Sequence, residues 1–130
     1  MEDFESKFDF DGFEDEDLQA VDALIAYLKE LPRAEVTMVN PHRVEQMRFS
    51  AAMMKKVLRE TGSEARFECK QHESFSSVGV VRIEGAALNI IDIEGFSRAA
   101  EFASNTEIYP LNNGKVRMTF TFHGLTIPVA

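Results

Sequence analysis

The sequence NGKVRMTFTF, residues 113–122, contains the clearest structural signal in the chain. From Val116 onward, apolar and polar residues alternate, which is the period-two pattern of a strand with one buried face. Asn113-Gly114 comes just before it, and both residue types tolerate the positive φ angles of a tight turn. We therefore predict a hairpin whose returning strand buries alternate residues: Val116, Met118, Phe120 and Phe122.

Similar patterns upstream predict further strands. Alternation or short apolar runs place strands at residues 34–39, 65–72, 78–84 and 88–93, and the last hairpin begins at Ile108. Residues 125–129 can add one more strand at an edge, where Pro128 would prevent further pairing because it has no N–H to donate. The strands form mainly one antiparallel sheet in this interpretation.

Apolar residues at helical spacing predict three helices, over residues 15–31, 41–61 and 96–104. Acidic residues in the first turn of the first helix interact favourably with the helix dipole. Asn40 can cap the start of the second helix, and Pro41 suits its first position. Gly62 can adopt the left-handed conformation that ends this helix. The order α-β-α-βββ-α-ββ then indicates an α+β two-layer sandwich of five to six strands and about three helices.

Composition limits the class of protein. The chain has 130 residues, is 45% hydrophobic and contains one cysteine, so it has neither an intrachain disulfide nor a cysteine-based zinc cluster. Its longest apolar run, residues 24–28, is far below the ~18 residues of a membrane span. The acidic start lacks the basic region of a secretory signal, so we expect a cytoplasmic protein without a membrane partner.

The negative charge is concentrated at the N-terminus. The formal net charge is −8, residues 1–17 hold nine acids and one base, and the remaining residues contain equal numbers of each. We expect residues 1–14 to be a flexible acidic, aromatic tail, here called the N-terminal segment, and residues 15–130 to be a single domain.

The residue types needed for catalysis are present but show no catalytic or metal-binding spacing. His42, His72 and His123 are not paired with another ligand at metal spacing, and glycines form no phosphate-binding loop. Cys69 alternates with Phe67 on the core face of a strand, which indicates a structural thiol. We therefore predict no enzyme, metal or cofactor. A pocket that collected His72, Glu73, Asp92 or His123 would reopen the question.

Two features of the sequence suggest binding. The N-terminal segment places four phenylalanines among acids, a composition suited to a hydrophobic groove with a basic rim: Phe4, Phe8, Phe10 and Phe13. Alternatively, this segment has no partner, or its aromatic residues fold back on their own domain.

The second feature is a basic stripe on the second helix, formed by Arg48, Lys55 and Arg59 at i, i+7 and i+11. The stripe is either a solvated helix face or an anion site for phosphates, an acidic partner or the N-terminal segment.

These features support two functional hypotheses. The first is a non-catalytic protein-interaction module, an adaptor, accessory or chaperone-like protein that forms a homodimer through a helix or a sheet edge. Its element order is similar to that of class I secretion chaperones, a resemblance of topology that implies the chaperone-like variant. The second is a nucleic-acid-associated regulator in which the acidic N-terminal segment competes for the basic stripe. This option is weaker because only Arg66 and Lys70 would extend the stripe.

Overall fold

The computed structural model describes residue 10 and residues 12–30, 37–75, 77–87 and 90–128. Its elements follow in the order α1 (Asp15–Lys29), β1 (Thr37–Val39), α2 (Pro41–Glu60), β2 (Arg66–Gln71), β3 (Gly79–Ala86), α3 (Ile90–Ala99), a 3-10 helix (Ala100–Phe102), β4 (Asn105–Pro110), β5 (Val116–Phe122) and β6 (Thr126–Pro128). Four strands form an antiparallel sheet in the order β2-β3-β5-β4, and β1 pairs with β6 in a second antiparallel sheet. The predicted α+β class is confirmed.

Local signals set the ends of the long helices. The Glu14 N–H donates a 2.8 Å hydrogen bond to the Asp17 carboxylate at the start of α1. The Arg43 N–H donates to the Asn40 side chain at the start of α2, and Gly62 follows this helix with φ of +70°. The predicted start of α1 and the predicted extent of α2 are confirmed. The predicted end of the first helix at Leu31 and residues 34–36 of the first strand lie outside the described residues.

The strand predicted at residues 88–93 is wrong. The described part of this region begins the helix α3 at Ile90, and the helix predicted over 96–104 is instead its second half plus the 3-10 helix. Consecutive isoleucines favour a strand locally, whereas Ile93, Phe96 and Ala100 also fit helical spacing. Packing against α2 decides between them. Gly95 permits the close approach, since a Cβ there would lie 2.5 Å from Val57 Cγ2.

The core lies between the three helices and one face of the four-stranded sheet, the inner face. Val81 pairs with Phe120 and Ile83 pairs with Met118 across β3 and β5, and all four side chains are buried. This confirms the predicted alternation of β5. The opposite, outer face of the sheet carries mostly polar residues, as expected for an antiparallel sheet covered on one side.

The two edges of the four-stranded sheet differ. At one edge β2 packs against α1, whereas β4 at the other edge makes most of its contacts with β5. All six residues of β4 are exposed. None of the described helices has both the length and the apolar character needed to cross a membrane.

Candidate interaction sites

Arg59 of the basic stripe is bound by acidic residues of α1. Its Nε and Nη2 donate to the two carboxylate oxygens of Asp17 at 3.1 and 2.7 Å. The carboxylates of Glu14 and Glu16 lie 3.5 and 3.8 Å from the guanidinium. The Asp17 side chain has no exposed surface, so this ion pair joins α1 to α2 at the edge of the core.

The pKa values of this pair reflect the same geometry. Burial raises the pKa of Asp17, but the hydrogen bonds from Arg59 and from the Glu14 N–H, with the positive charge of Arg59, outweigh it. The pKa of Asp17 is therefore held below its ordinary value of 3.8. The hydrogen bond to Asp17 also raises the pKa of Arg59.

The other two members of the basic stripe also have partners within the chain. Arg48 Nε donates to Asp22 at 2.8 Å, and its guanidinium lies 4.7 Å from the centre of the Phe10 ring. The ammonium group of Lys55 lies 5.3 Å from the centre of the Phe67 ring. An external anion at the stripe would have to displace carboxylates that already neutralise Arg48 and Arg59.

The described part of the N-terminal segment packs next to the basic stripe. The rings of Phe10 and Phe13 lie 6.0 and 5.9 Å from Phe49 of α2, and 5.6 Å from each other. The ammonium group of Lys56 is 5.6 Å from the centre of the Phe13 ring. For these two phenylalanines, the contacts correspond to the interpretation in which the aromatics fold back on their own domain. Phe4 and Phe8 lie outside the described residues.

Arg43, in the first turn of α2, connects three parts of the fold. Its guanidinium donates to the backbone carbonyls of His123 and Phe102 at 2.6 and 2.7 Å, and to Ser104 Oγ at 2.8 Å. It also lies 5.6 Å from the centre of the Phe122 ring. Burial lowers the pKa of Arg43. This side chain fixes the start of α2 against the segments that lead into β4 and out of β5.

Cys69 packs against the hydrophobic core from β2, where it pairs with Val81. Burial raises the pKa of its thiol to about 12. Because the thiolate is the nucleophilic form, this environment makes the cysteine unreactive at neutral pH. The geometry agrees with the structural thiol predicted from alternation.

We expect Cys69 to react with a disulfide reagent at pH 8 roughly 100-fold more slowly, or slower still, in the native protein than in concentrated urea. The reason is that packing against the core suppresses thiolate formation and restricts access to the sulfur. Colour development after mixing with an aromatic disulfide measures both rates. Equal rates in the two conditions would show that the thiol is exposed and ionised.

Two histidines meet at a pocket on the outer face of the sheet. The cavity has a volume of about 530 Å³ and is lined by His72, Glu73 and His123 among others. Asp92 belongs to α3 on the other side of the sheet. The His72 Nδ1 accepts a 3.0 Å hydrogen bond from the Ser74 N–H, which fixes this ring at the rim. Three of the four residues whose meeting in a pocket would reopen the question of an enzyme therefore share one cavity.

The edge of β4, which pairs with no described strand except β5, is the other prominent surface. The Leu111 N–H donates to the Lys115 carbonyl at 2.8 Å, and the register then pairs Tyr109 with Arg117. In an antiparallel ladder the backbone groups of alternate residues point toward the neighbouring strand. The N–H and C=O groups of Thr106 and Ile108 therefore point away from β5, as does the Pro110 carbonyl. The side chains of Ile108 and Tyr109 are 55% and 50% exposed.

No protein-family model, curated protein or solved structure matches this chain. Among the surfaces described above, the members of the basic stripe have partners within the chain, whereas the edge of β4 and the outer-face pocket are open.

Proposed function

We propose that this protein is a non-catalytic protein-interaction module that forms a homodimer through β4. The observation that carries this proposal is the free strand edge. Unpaired N–H and C=O groups in a row are a template for strand addition, and the exposed side chain of Ile108 provides apolar surface beside them.

A second copy fits this edge better than an arbitrary segment, because the edge is complementary to itself. When two β4 strands run antiparallel about a two-fold axis at Ile108, the Ile108 N–H of each copy meets the Ile108 carbonyl of the other. The Thr106 N–H meets the Pro110 carbonyl of the second copy. In this register the Thr106 carbonyl faces Pro110 of the second copy, which has no N–H, so each of these pairs forms one hydrogen bond instead of two. The ladder then consists of the two Ile108 bonds and the two bonds from Thr106 to Pro110.

Charge also favours a second copy at this edge. The excess of acids lies in residues 1–17, and α1 packs against β2 at the opposite edge of the sheet. Two copies that meet at β4 thus keep the acidic first turns of their α1 helices apart, and residues 18–130 of each chain balance in charge. The dimer would present a continuous sheet as a larger surface for further protein partners, as an adaptor or accessory protein requires.

We expect Thr106→Pro to weaken dimerisation roughly 30-fold, because one backbone hydrogen bond is lost from each copy at about 1 kcal/mol each. The N–H that is removed points away from β5, so the fold of each copy is retained. Sedimentation equilibrium over a range of concentrations measures the dissociation constant. Thr106→Ala, which keeps the N–H, is the matched control and should behave as the unaltered chain.

Two results would contradict this proposal. One is a monomer mass for the unaltered chain at all concentrations. The other is a dimer that Thr106→Pro does not weaken although circular dichroism shows that the variant is folded, because this dimer would then use another surface.

A further inference from the structure

The outer-face pocket has an apolar floor. Val78 and Val80 are 3% and 8% exposed, although Val80 belongs to the outer face of the sheet, where side chains are normally solvated. The connection from β2 to β3 folds over this position. It places Phe75, which is 60% exposed, beside the cavity, with the His72 ring 5.3 Å from the Phe75 ring. The pocket therefore offers apolar and aromatic surface to a ligand.

The register of the sheet gives the pocket its polar groups. One row across four strands contains Lys70, Val80, Thr121 and Asn105. The next row contains Glu68, Arg82, Thr119 and Glu107, so Thr119 lies directly beside Arg82. Neighbouring strands lie about 4.8 Å apart. Hydroxyl and guanidinium donors thus stand side by side at the edge of the apolar floor.

Two cationic side chains line the pocket, Lys70 and Arg82, and of these Arg82 has no partner among the described residues. Glu68 is the cross-strand neighbour of Arg82, but its carboxylate lies 4.0 Å from Lys70. Arg82 makes no hydrogen bond or ion pair with any other residue in the part of the chain that the structure describes. Glu73 and Glu107 at the rim balance the charges of Lys70 and Arg82. A lining with one unpaired guanidinium and no net charge suits a single anionic group and disfavours a polyphosphate.

We propose that this pocket binds a small monocarboxylate with an apolar or aromatic body. The carboxylate accepts two hydrogen bonds from the Arg82 guanidinium, whose planar fork matches its geometry, and a further one from the Thr119 hydroxyl. The body of the ligand packs on Val78, Val80 and Phe75. The volume of about 530 Å³ lies within the range of small-molecule sites.

The test is a titration of the isotopically labelled full chain with 3-phenylpropionate, followed by backbone amide NMR. We expect shifts at residues 77–82 and 119–121, and no comparable shifts with 3-phenylpropanamide, which has the same shape without the charge. Arg82→Gln should weaken binding at least roughly 10-fold, because charge-assisted hydrogen bonds are lost. Arg66→Gln is the matched control, since Arg66 lies on the same face outside the pocket.

Three results would overturn this inference. The first is an absence of shifts at the pocket up to the solubility limit of 3-phenylpropionate, and the second is equal binding of 3-phenylpropanamide. The third is unchanged binding of 3-phenylpropionate by Arg82→Gln when the backbone NMR spectrum of this variant is that of a folded protein. The same titration on Thr106→Pro should give the same affinity, because Thr106 does not line the pocket. The inference is thereby tested separately from the proposed dimer.

Discussion

Replacing Arg43 with methionine should lower the free energy of unfolding by about 2–4 kcal/mol. Methionine retains most of the aliphatic length of the side chain but donates no hydrogen bond. The carbonyls of Phe102 and His123 and the hydroxyl of Ser104 would each lose a charged donor. Hydrogen bonds from charged groups contribute more than neutral ones, and this substitution removes three of them together. Chemical denaturation of the full chain measures the change.

Two variants control this prediction. Arg43→Lys keeps the charge, but a single ammonium group cannot reach acceptors on separate segments as a forked guanidinium does, so we expect it to recover only part of the loss. Arg98→Met removes an exposed arginine at the end of α3 and should change stability by less than about 0.5 kcal/mol. If Arg43→Met is no more harmful than Arg98→Met, then the connection between α2, β4 and β5 does not depend on Arg43.

Asp17→Asn should lower the free energy of unfolding by about 2 kcal/mol and the Tm by roughly 5–10 °C. The substitution keeps the shape of a fully buried side chain but removes the charge that pairs with Arg59. One of its oxygens becomes an amide group, which would face the donors of the guanidinium. Thermal unfolding followed by circular dichroism measures the change.

The effect of Asp17→Asn should also depend on pH. The pKa of Asp17 is lower in the folded protein than its ordinary value of 3.8, so its charge stabilises the native state fully above that value. This contribution is lost as the pH falls through the lowered pKa of the folded state. The difference between the unaltered chain and Asp17→Asn should thus be constant from pH 5 to 7 and shrink below about pH 4.

Asp15→Asn is the matched control for this pair. Asp15 occupies the same first turn of α1 but is exposed, so only its interaction with the helix dipole is lost, at a few tenths of a kcal/mol. A difference for Asp17→Asn that stays unchanged down to pH 2 would show that the charge of Asp17 is not what stabilises the fold.

The sequence predicts best those elements whose local signals agree. For α2, the cap at Asn40, the proline that follows it, the apolar face and the final Gly62 all indicate one helix. For β5, one buried face produces strict alternation. These elements are stabilised by the same residues that define their pattern, so reading the pattern is enough to find them.

Elements whose surroundings decide their structure were harder to predict. The isoleucines at the start of α3 fit a strand or a helix, and contact with α2 at Gly95 selects the helix. The first half of β4 was missed because all its side chains are exposed, and an exposed strand has no alternation to detect. In both cases the determining interaction is between segments distant in sequence.

The basic stripe and the outer-face pocket also depend on interactions between segments that are distant in sequence. The sequence predicted that Arg48, Lys55 and Arg59 share one helix face but not that Asp22 and Asp17 of α1 would neutralise two of them. The outer-face pocket joins residues about 50 positions apart, such as His72 and His123, through the pairing of β3 with β5. Helical spacing places side chains on a face, whereas strand register across a sheet requires the whole fold.

The contacts of Arg43 bear on the way the chain folds. Its partners lie 59, 61 and 80 residues further along the sequence, so the first turn of α2 reaches its final environment only after β4 and β5 have assembled. Contacts of such long range require large loops to close before they stabilise anything, and this slows folding. We expect the two halves of the chain to acquire their native packing in one late, shared step.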